Sequence, residues 1–533
     1  MSTIYRNGNF YVSDSVFQQA IRVSDGIITH VGSNDDAVGW SADTTIDLMG
    51  RTVVPGFNDS HMHLYSCALF LQMVDLNNME SIQACIEAGR NYLAAHPDTR
   101  VLVGRGWIQD YFSDEQRLLT RHDLDQITTD IPVFYTRACG HMAVVNTRAI
   151  ELYHLDENFV VEGGSLGFEE DGTCNGILYE NAVGALRNQL EGVPSPKEVK
   201  ASLDAIARVA NSLGLTSVST NDLYLGSPIG DAVEEGYLLY GSDNPTLRIN
   251  HQVSFSSPEH LASRIASGYN RSDNPAFNRY GPVKLFADGS LGARTALMSN
   301  DYADDPGNRG LEVLSVSQLD SFVHTADAAG IQCVCHAIGD EGIRRIVSIY
   351  QSILADHENP NRHGVIHVQI TDEDLLHRFA DYHIPAIVQP IFLQYDLHIV
   401  EDRVGPALAK TSYAFNTLRE LGAHVSYGSD SPVENFAPIP CIHCAVNRED
   451  LHHQPEGGYN PDEKVTVAQA IDAYTLGSAY ASFEEDTKGR IAAGYVADLV
   501  VLSDDIFSID PANILDVKVE QTIVNGVSVY QRS

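Results

Sequence analysis

The chain has 533 residues, 44% hydrophobic and 20% charged, which is ordinary for a folded protein but too long for a single core, so two or more domains are expected. A formal net charge of −37 excludes nucleic acid and anionic membranes as partners, because phosphate groups are held by clustered Lys and Arg. No apolar run approaches the ~20 residues that cross a bilayer, and residues 1–17 have no basic segment followed by an apolar one. Eight cysteines without paired zinc-site spacing read as buried thiols, which places the protein in the cytoplasm.

Residues 1–52 are short alternating segments such as Ile21-Arg22-Val23 and Ile27-Ile28-Thr29-His30-Val31, broken by Gly, Asn and Asp. Residues 481–533 repeat the style in Ala497-Asp498-Leu499-Val500-Val501-Leu502 and Gln521-Thr522-Ile523-Val524. Neither end is long enough for a stable sheet of its own, so the two are expected to combine into one small β-sandwich around a central insert.

The β-branched run ending in Val53-Val54 breaks at Pro55-Gly56 and then presents His61 and His63. In extended chain a period of two puts both imidazoles on one face, an arrangement that suits a divalent metal such as zinc. A lone His-x-His is equally well a pair of loop histidines, so the pair needs partners. Residues 65–195 follow with their own aromatics and glycines (Trp107, Tyr111, Gly163-Gly164) and read as a large insertion over the first strand's exit.

From residue 196 the pattern becomes strand, loop and amphipathic helix, repeated. Strands are expected at 215–219, 282–286, 331–336, 364–367, 386–389 and 424–428, with helices at 201–210, 317–329 and 341–355 between them. So many alternating units after the first strand predict an α/β fold, a closed (β/α)8 TIM-like barrel over 53–480 with the 65–195 insertion inside it. Barrel enzymes place their chemistry where strands end. The successive ends carry His61 and His63, then Lys284 inside an apolar run, then His336, His367 and Asp430. Each histidine alone is better explained as structural; the set points to metal. Lys284 is the odd member, since a buried ammonium repels a cation and is costly to desolvate.

At this set the chain resembles the amidohydrolase superfamily, in its family 3 branch, which includes N-substituted formamide deformylase-like proteins. The resemblance rests on Val53-Val54-Pro55-Gly56-Phe57 with Asp59, His61 and His63, on Val283–Ala296 around Lys284, on Cys335–Asp340, on Gly428–Val433 and on Gly489–Val500. At Val365-Ile366-His367-Val368-Gln369 the chain departs from the acidic residue and alanine more usual around that histidine. The resemblance implies that His61, His63 and Asp430 hold one divalent metal, most readily zinc, and that His336 and His367 hold a second. It also implies that Lys284, carboxylated by CO2 to a carbamate, bridges them.

The activity so implied is hydrolysis of a C–N bond in a small amide, such as an N-substituted formamide, by a metal-bound hydroxide. Asp430 is the general base that later protonates the leaving amine. Inside the insertion, Gly104–Trp107 and Ala138–Asn146 also look like branch features. His141 is expected to donate to the substrate carbonyl or to orient another group, and Trp107 to wall the pocket or simply to pack. Asp288 is the other expected substrate-binding residue. Two alternatives stay open: an ester, lactam or cyclic imide cleaved at the same site, and a non-catalytic regulatory descendant. A homodimer with no partner beyond its small-molecule substrate completes the expectation.

Overall fold

The computed structural model describes residues 1–161 and 163–533. It divides into two compact units, Met1–Cys67 with Ser195–Ser533, and Ala68–Pro194.

In the first unit eight parallel strands follow one another round a sheet: β1 Phe57–Met62, β2 Leu215–Thr220, β3 Arg248–Phe255, β4 Asn278–Phe286, β5 Cys333–Ala337, β6 Gly364–His367, β7 Ala386–Val388 and β8 Val425–Tyr427. Just beyond β8 the backbone rejoins β1, with Asp430 N–H donating to His61 O and His63 N–H to Ser431 O, both at 2.8 Å. The result is the TIM-like near-barrel expected from the alternation. Gly428 lies at this seam, where an added Cβ would sit 2.6 Å from His61 N, so the closing strand can approach only with no side chain there.

The outer helices form for legible reasons. Helix Pro196–Ser212 opens on a capping box between Ser195 and Glu198 with Pro196 in the first turn, and buries Val199, Leu203, Ile206 and Ala210 along one stripe. Helix Asp340–Ile353 buries Ile343, Ile346, Val347 and Tyr350 in the same periodicity. The latter and Val316–Asp327 lie within two residues of the expected positions, whereas the helix expected at 201–210 begins five residues earlier, at Pro196. One barrel strand, β3, is absent from the series read in the sequence. Its segment Arg248-Ile-Asn-His-Gln-Val-Ser-Phe mixes polar and apolar residues, yet seven of its eight positions are buried.

Two further sheets share one core. One orders its strands as Ile27–Gly32, Ala20–Ser24, Ser2–Arg6 and Thr44–Asp47. The other runs Val527–Gln531, Val519–Val524, Leu499–Leu502, Thr52–Pro55, Asn9–Ser13, Val16–Gln18, so both chain ends interleave in it. Phe10, Ile21, Ile28, Val53, Ile491, Leu499 and Ile523 fill the space between them. Strand Thr52–Pro55 passes through Gly56 straight into β1.

The second unit, 68–194, is built on its own six-stranded mixed sheet with Leu102–Trp107, Val133–Arg137, Met142–Val145 and Cys174–Glu180 at its centre. It has its own apolar cores around Trp107 and Phe134.

Candidate metal centre

All six residues expected as ligands come together where the barrel strands end. His61 and His63 leave β1, Lys284 lies in β4, His336 in β5, His367 closes β6 and Asp430 follows β8. Asp430 Oδ1 lies 3.2 Å from Nε2 of both His61 and His63, and Lys284 Nζ lies 3.3 Å from His61 Nε2. The ring of His367 stands 4.4 Å from that of His336 and 5.6 Å from that of His61. Three positions here have backbone φ on the left-handed side, His367 at 83°, Val368 at 49° and Asp430 at 55°, which costs energy that the rest of the barrel must support.

Hydrogen bonds fix which nitrogen of each ring carries its proton. His63 Nδ1 lies 2.8 Å from the carbonyl of Asn221, which only accepts, so Nδ1 is protonated. His61 Nδ1 lies 2.6 Å from Gln252 Oε1, and the Gln252 amide cannot be reversed because its Nε2 donates to Ser60 O at 3.0 Å. Gln389 repeats the device, with Oε1 2.7 Å from His367 Nδ1 and Nε2 donating to Ile387 O at 3.2 Å. His336 is turned the other way, its Nε2 donating to Gly289 O at 3.0 Å, which leaves Nδ1 as its acceptor.

The neutral rings of His61 and His367 therefore offer Nε2 lone pairs. Burial lowers His63 as well, but its contact with the Asp430 carboxylate outweighs burial and raises it. At His61 that lone pair faces a carboxylate oxygen across 3.2 Å. Acceptor against acceptor at that distance is repulsive, and a divalent cation among them turns the repulsion into coordination. Ligand atoms of His61, His63 and Asp430 all lie within 4.8 Å of one another, and His367 Nε2 is buried with no hydrogen-bond partner among the described residues. The donor set fits a metal. Burial, aided by the Lys284 ammonium, pushes His61 down to about 3 and His336 to about 4, so both rings are neutral and ready to ligate at neutral pH. Burial also pushes the Lys284 ammonium down to about 8.

The supporting residues are as informative as the ligands. Asp59, buried and pushed up to about 7 by burial, accepts from the backbone of His61 (3.0 Å) and Ser429 (3.1 Å), tying β1 to the segment after β8. Asn221 gives its amide hydrogens to Gln252 O and Ser254 Oγ, which holds the carbonyl that His63 uses. Gln252, Gln389 and Asn221 were not singled out in the sequence. Gln389 stands at the end of an expected strand, and that position was the only available signal.

Of the other expected residues, Asp288 stands beside the ligands, with Oδ1 3.5 Å from His336 Nε2, while Trp107 and His141 belong to the 68–194 unit. Asp288 is fully engaged with backbone, accepting from Leu297 (2.9 Å), Ile338 (3.0 Å) and Gly339 (2.8 Å), so it staples the loop after β4 to the exit of β5 rather than presenting a free carboxylate to substrate. Trp107 is wholly buried in the core of 68–194, its Nε1 donating to Tyr135 O, so it packs rather than walls open space. His141 belongs to the same unit, is 72% exposed, and pairs through Nδ1 with Glu180 at 2.8 Å. All eight cysteines are free, and burial pushes the thiol of Cys67, which lies against Ser431, far up. Another cluster, His443, Glu449 and His453, offers less, because both ring nitrogens of His443 already have partners in Asp450 O and Asn447 Nδ2.

A parallel near-barrel with imidazoles, a carboxylate and a buried lysine at its strand ends defines the class of metal-dependent hydrolases. The sequence profile of the Amidohydrolase family matches residues 44–530, and the chain belongs to that family. It is 31% identical to YtcJ of Bacillus subtilis (strain 168), a protein named as an amidohydrolase, with both chains covered over their full length. It is 24% identical to the N-substituted formamide deformylase of Arthrobacter pascens, over 97% of this chain and 95% of that one. Among solved structures it resembles an uncharacterized metal-dependent hydrolase from Pyrococcus furiosus, with a TM-score of 0.78, 28% identity, and 95% and 100% of the two chains covered. No described helix is long and apolar enough to cross a membrane.

Proposed function

We propose that the centre hydrolyses the C–N bond of a small amide, with N-substituted formamides as the first class to test. The observation that carries the reading is the convergence of His61 Nε2 and His63 Nε2 on Asp430 Oδ1, with the His61 ring neutral and its Nδ1 held by Gln252. His61, His63 and Asp430 would hold one divalent ion, zinc being the best match to imidazole and carboxylate donors, and His336 with His367 would hold a second. Bound there, such an ion polarises a carbonyl and acidifies water.

The chain's own residues supply the rest. Asp430 turns Oδ1 to the two imidazoles and leaves Oδ2 to take a proton from the attacking water and return it to the leaving amine nitrogen. Lys284, with burial lowering its ammonium to about 8, has a share of free amine near neutral pH, the form that adds CO2. As a carbamate it becomes an anion suited to sit between the two ions, which removes the repulsion between an ammonium and a metal. The relative named for formamide deformylation supports the substrate class.

The test is a panel of N-substituted formamides, acetamides, cyclic imides and esters with zinc-loaded protein, read as amine or alcohol release. Amine release that Asp430→Asn lowers by at least about a hundredfold is the expected result. Cleavage confined to esters sinks the C–N assignment. Absence of turnover on every substrate, with zinc bound, favours a regulatory descendant.

A further inference from the structure

Three of the ligand imidazoles place their Nδ1 proton on an uncharged partner. His61 gives it to the amide oxygen of Gln252, His367 to that of Gln389, and His63 to the backbone carbonyl of Asn221. Metal-ligating histidines commonly donate that proton to a carboxylate, a carbonyl or water, and a carboxylate makes the ring a stronger donor. Here each glutamine is itself held by a backbone carbonyl, Gln252 by Ser60 O and Gln389 by Ile387 O. Both glutamines are buried, at 1% and 2% exposure, so neither amide has room or solvent to turn round. The two come from different strands, β3 and the residue after β7, yet perform the same operation on rings standing 5.6 Å apart.

We infer that Gln252 and Gln389 are positioning residues that lock His61 and His367 in the tautomer offering Nε2 to a metal and, being neutral, keep both rings moderate donors. The metal is thereby held more loosely, and left more electrophilic, than a carboxylate-backed centre would hold it. A glutamate at either position would keep the bond to the ring and add a charge, while giving up the donor to Ser60 O or Ile387 O. It would drain electrophilicity from the ion and slow its exchange. An alanine would release the ring to either tautomer and cost affinity instead. The two substitutions at each position differ in direction: alanine removes the partner of the ring, and glutamate replaces it with a charged one. This role for the glutamines rests on the metal-centre reading of the site.

The experiment uses the full chain, stripped of metal and titrated with zinc alone against a competing chelator, and it scores affinity and release rate rather than turnover. Gln252→Ala and Gln389→Ala are each expected to weaken zinc binding about 10–100-fold. Gln252→Glu and Gln389→Glu are expected to tighten it, by on the order of tenfold, and to slow its release. Glutamate variants that fold and bind zinc no tighter than the unsubstituted chain overturn the role of charge, and alanine variants with unchanged affinity overturn the positioning role. Should a glutamate variant fail to fold, nitrogen-15 spectra of labelled histidine in the unsubstituted, metal-free chain decide the matter. An Nδ1–H tautomer at His61 and His367 supports the inference, and Nε2–H at either overturns it. If the unsubstituted chain binds no zinc, it is the metal-centre reading that falls, and the spectra still report on the glutamines.

Discussion

Lys284 is 2% exposed, 3.3 Å from a histidine nitrogen and 4.9 Å from the face of Phe286, with no carboxylate in hydrogen-bond contact among the described residues. Such an ammonium is poorly compensated, and conversion to a carbamate would make it an anion matched to a cation held by the neighbouring residues. Lys284→Ala is accordingly expected to lose most of its bound metal, read as metal per chain after dialysis. Bicarbonate is expected to speed recovery of the metal-depleted unsubstituted chain but not of the variant. Two metals retained in Lys284→Ala would remove the lysine from the centre. The six residues that the structure brings together were legible in the sequence because each lies in or just after an apolar strand segment and carries its own chemistry. Gln252, Gln389 and Asn221 were not, since a carboxamide or a backbone carbonyl has only position to recommend it. Trp107 and Asp288 show the opposite failure: a conspicuous residue in a matching segment says nothing about which way its side chain points, and both turned inward to packing and backbone.

At the scale of elements, the seam between β8 and β1 and the helix layer each make a prediction. Gly428→Ala drives a methyl against His61 N and His61 O and is expected to cost about 1–3 kcal/mol of stability, together with metal affinity, since the strand carrying both histidines must shift. Unfolding midpoints and metal content, measured on one preparation, check both halves. In the helix layer, Glu234 of helix Pro228–Ser242 is 3% exposed and accepts from Tyr280 (2.6 Å), Arg264 (2.6 Å) and Arg271 (2.8 Å). Burial pushes its carboxyl up, but these donors outweigh burial and hold it below the ordinary 4.5. A carboxyl lowered by folding contributes stability that is present above its unfolded value and is lost as pH falls through the folded one. Glu234→Gln should therefore destabilise by about 3 kcal/mol near pH 7, with the difference from the unsubstituted protein closing as the pH falls below 4.5. A difference that persists in acid would mean the carboxylate is not what matters. The strand that the apolar pattern concealed, β3, belongs to this scale too. This strand carries buried polar side chains such as Asn250, His251 and Gln252, each bonded to a neighbour through at least one atom, so it shows no apolar period.

For the whole molecule the net charge of −37 outweighs any single ion pair. Self-repulsion among surface carboxylates weakens the folded state when screening is poor. Raising ionic strength from 0.01 M to 1 M shortens the screening length from about 30 Å to about 3 Å. The thermal midpoint of the metal-loaded protein is expected to climb across that range, and a fall would mean that attractive ion pairs outweigh the repulsion. The βα alternation and the joining of the two chain ends were readable because each repeats a simple pattern. How the 68–194 segment folds was not, because a mixed sheet of short strands has no single period to read.

The passage of strand Thr52–Pro55 through Gly56 into β1 has a bearing on how the protein is made. That strand lies between Asn9–Ser13, synthesised before it, and Leu499–Leu502, synthesised more than four hundred residues after it. The other end of β1 is pinned by Asp430 and Ser431, also far downstream. The two histidines that open the metal centre are thus among its first residues to be translated and among the last to be immobilised. On a growing chain they remain an unfixed pair until the late strands arrive, and a metal ion that they hold would have no complete site before then. The choice of metal then falls to whatever the finished, folded polypeptide meets, and a product broken off before residue 499 is denied a working centre by its architecture alone.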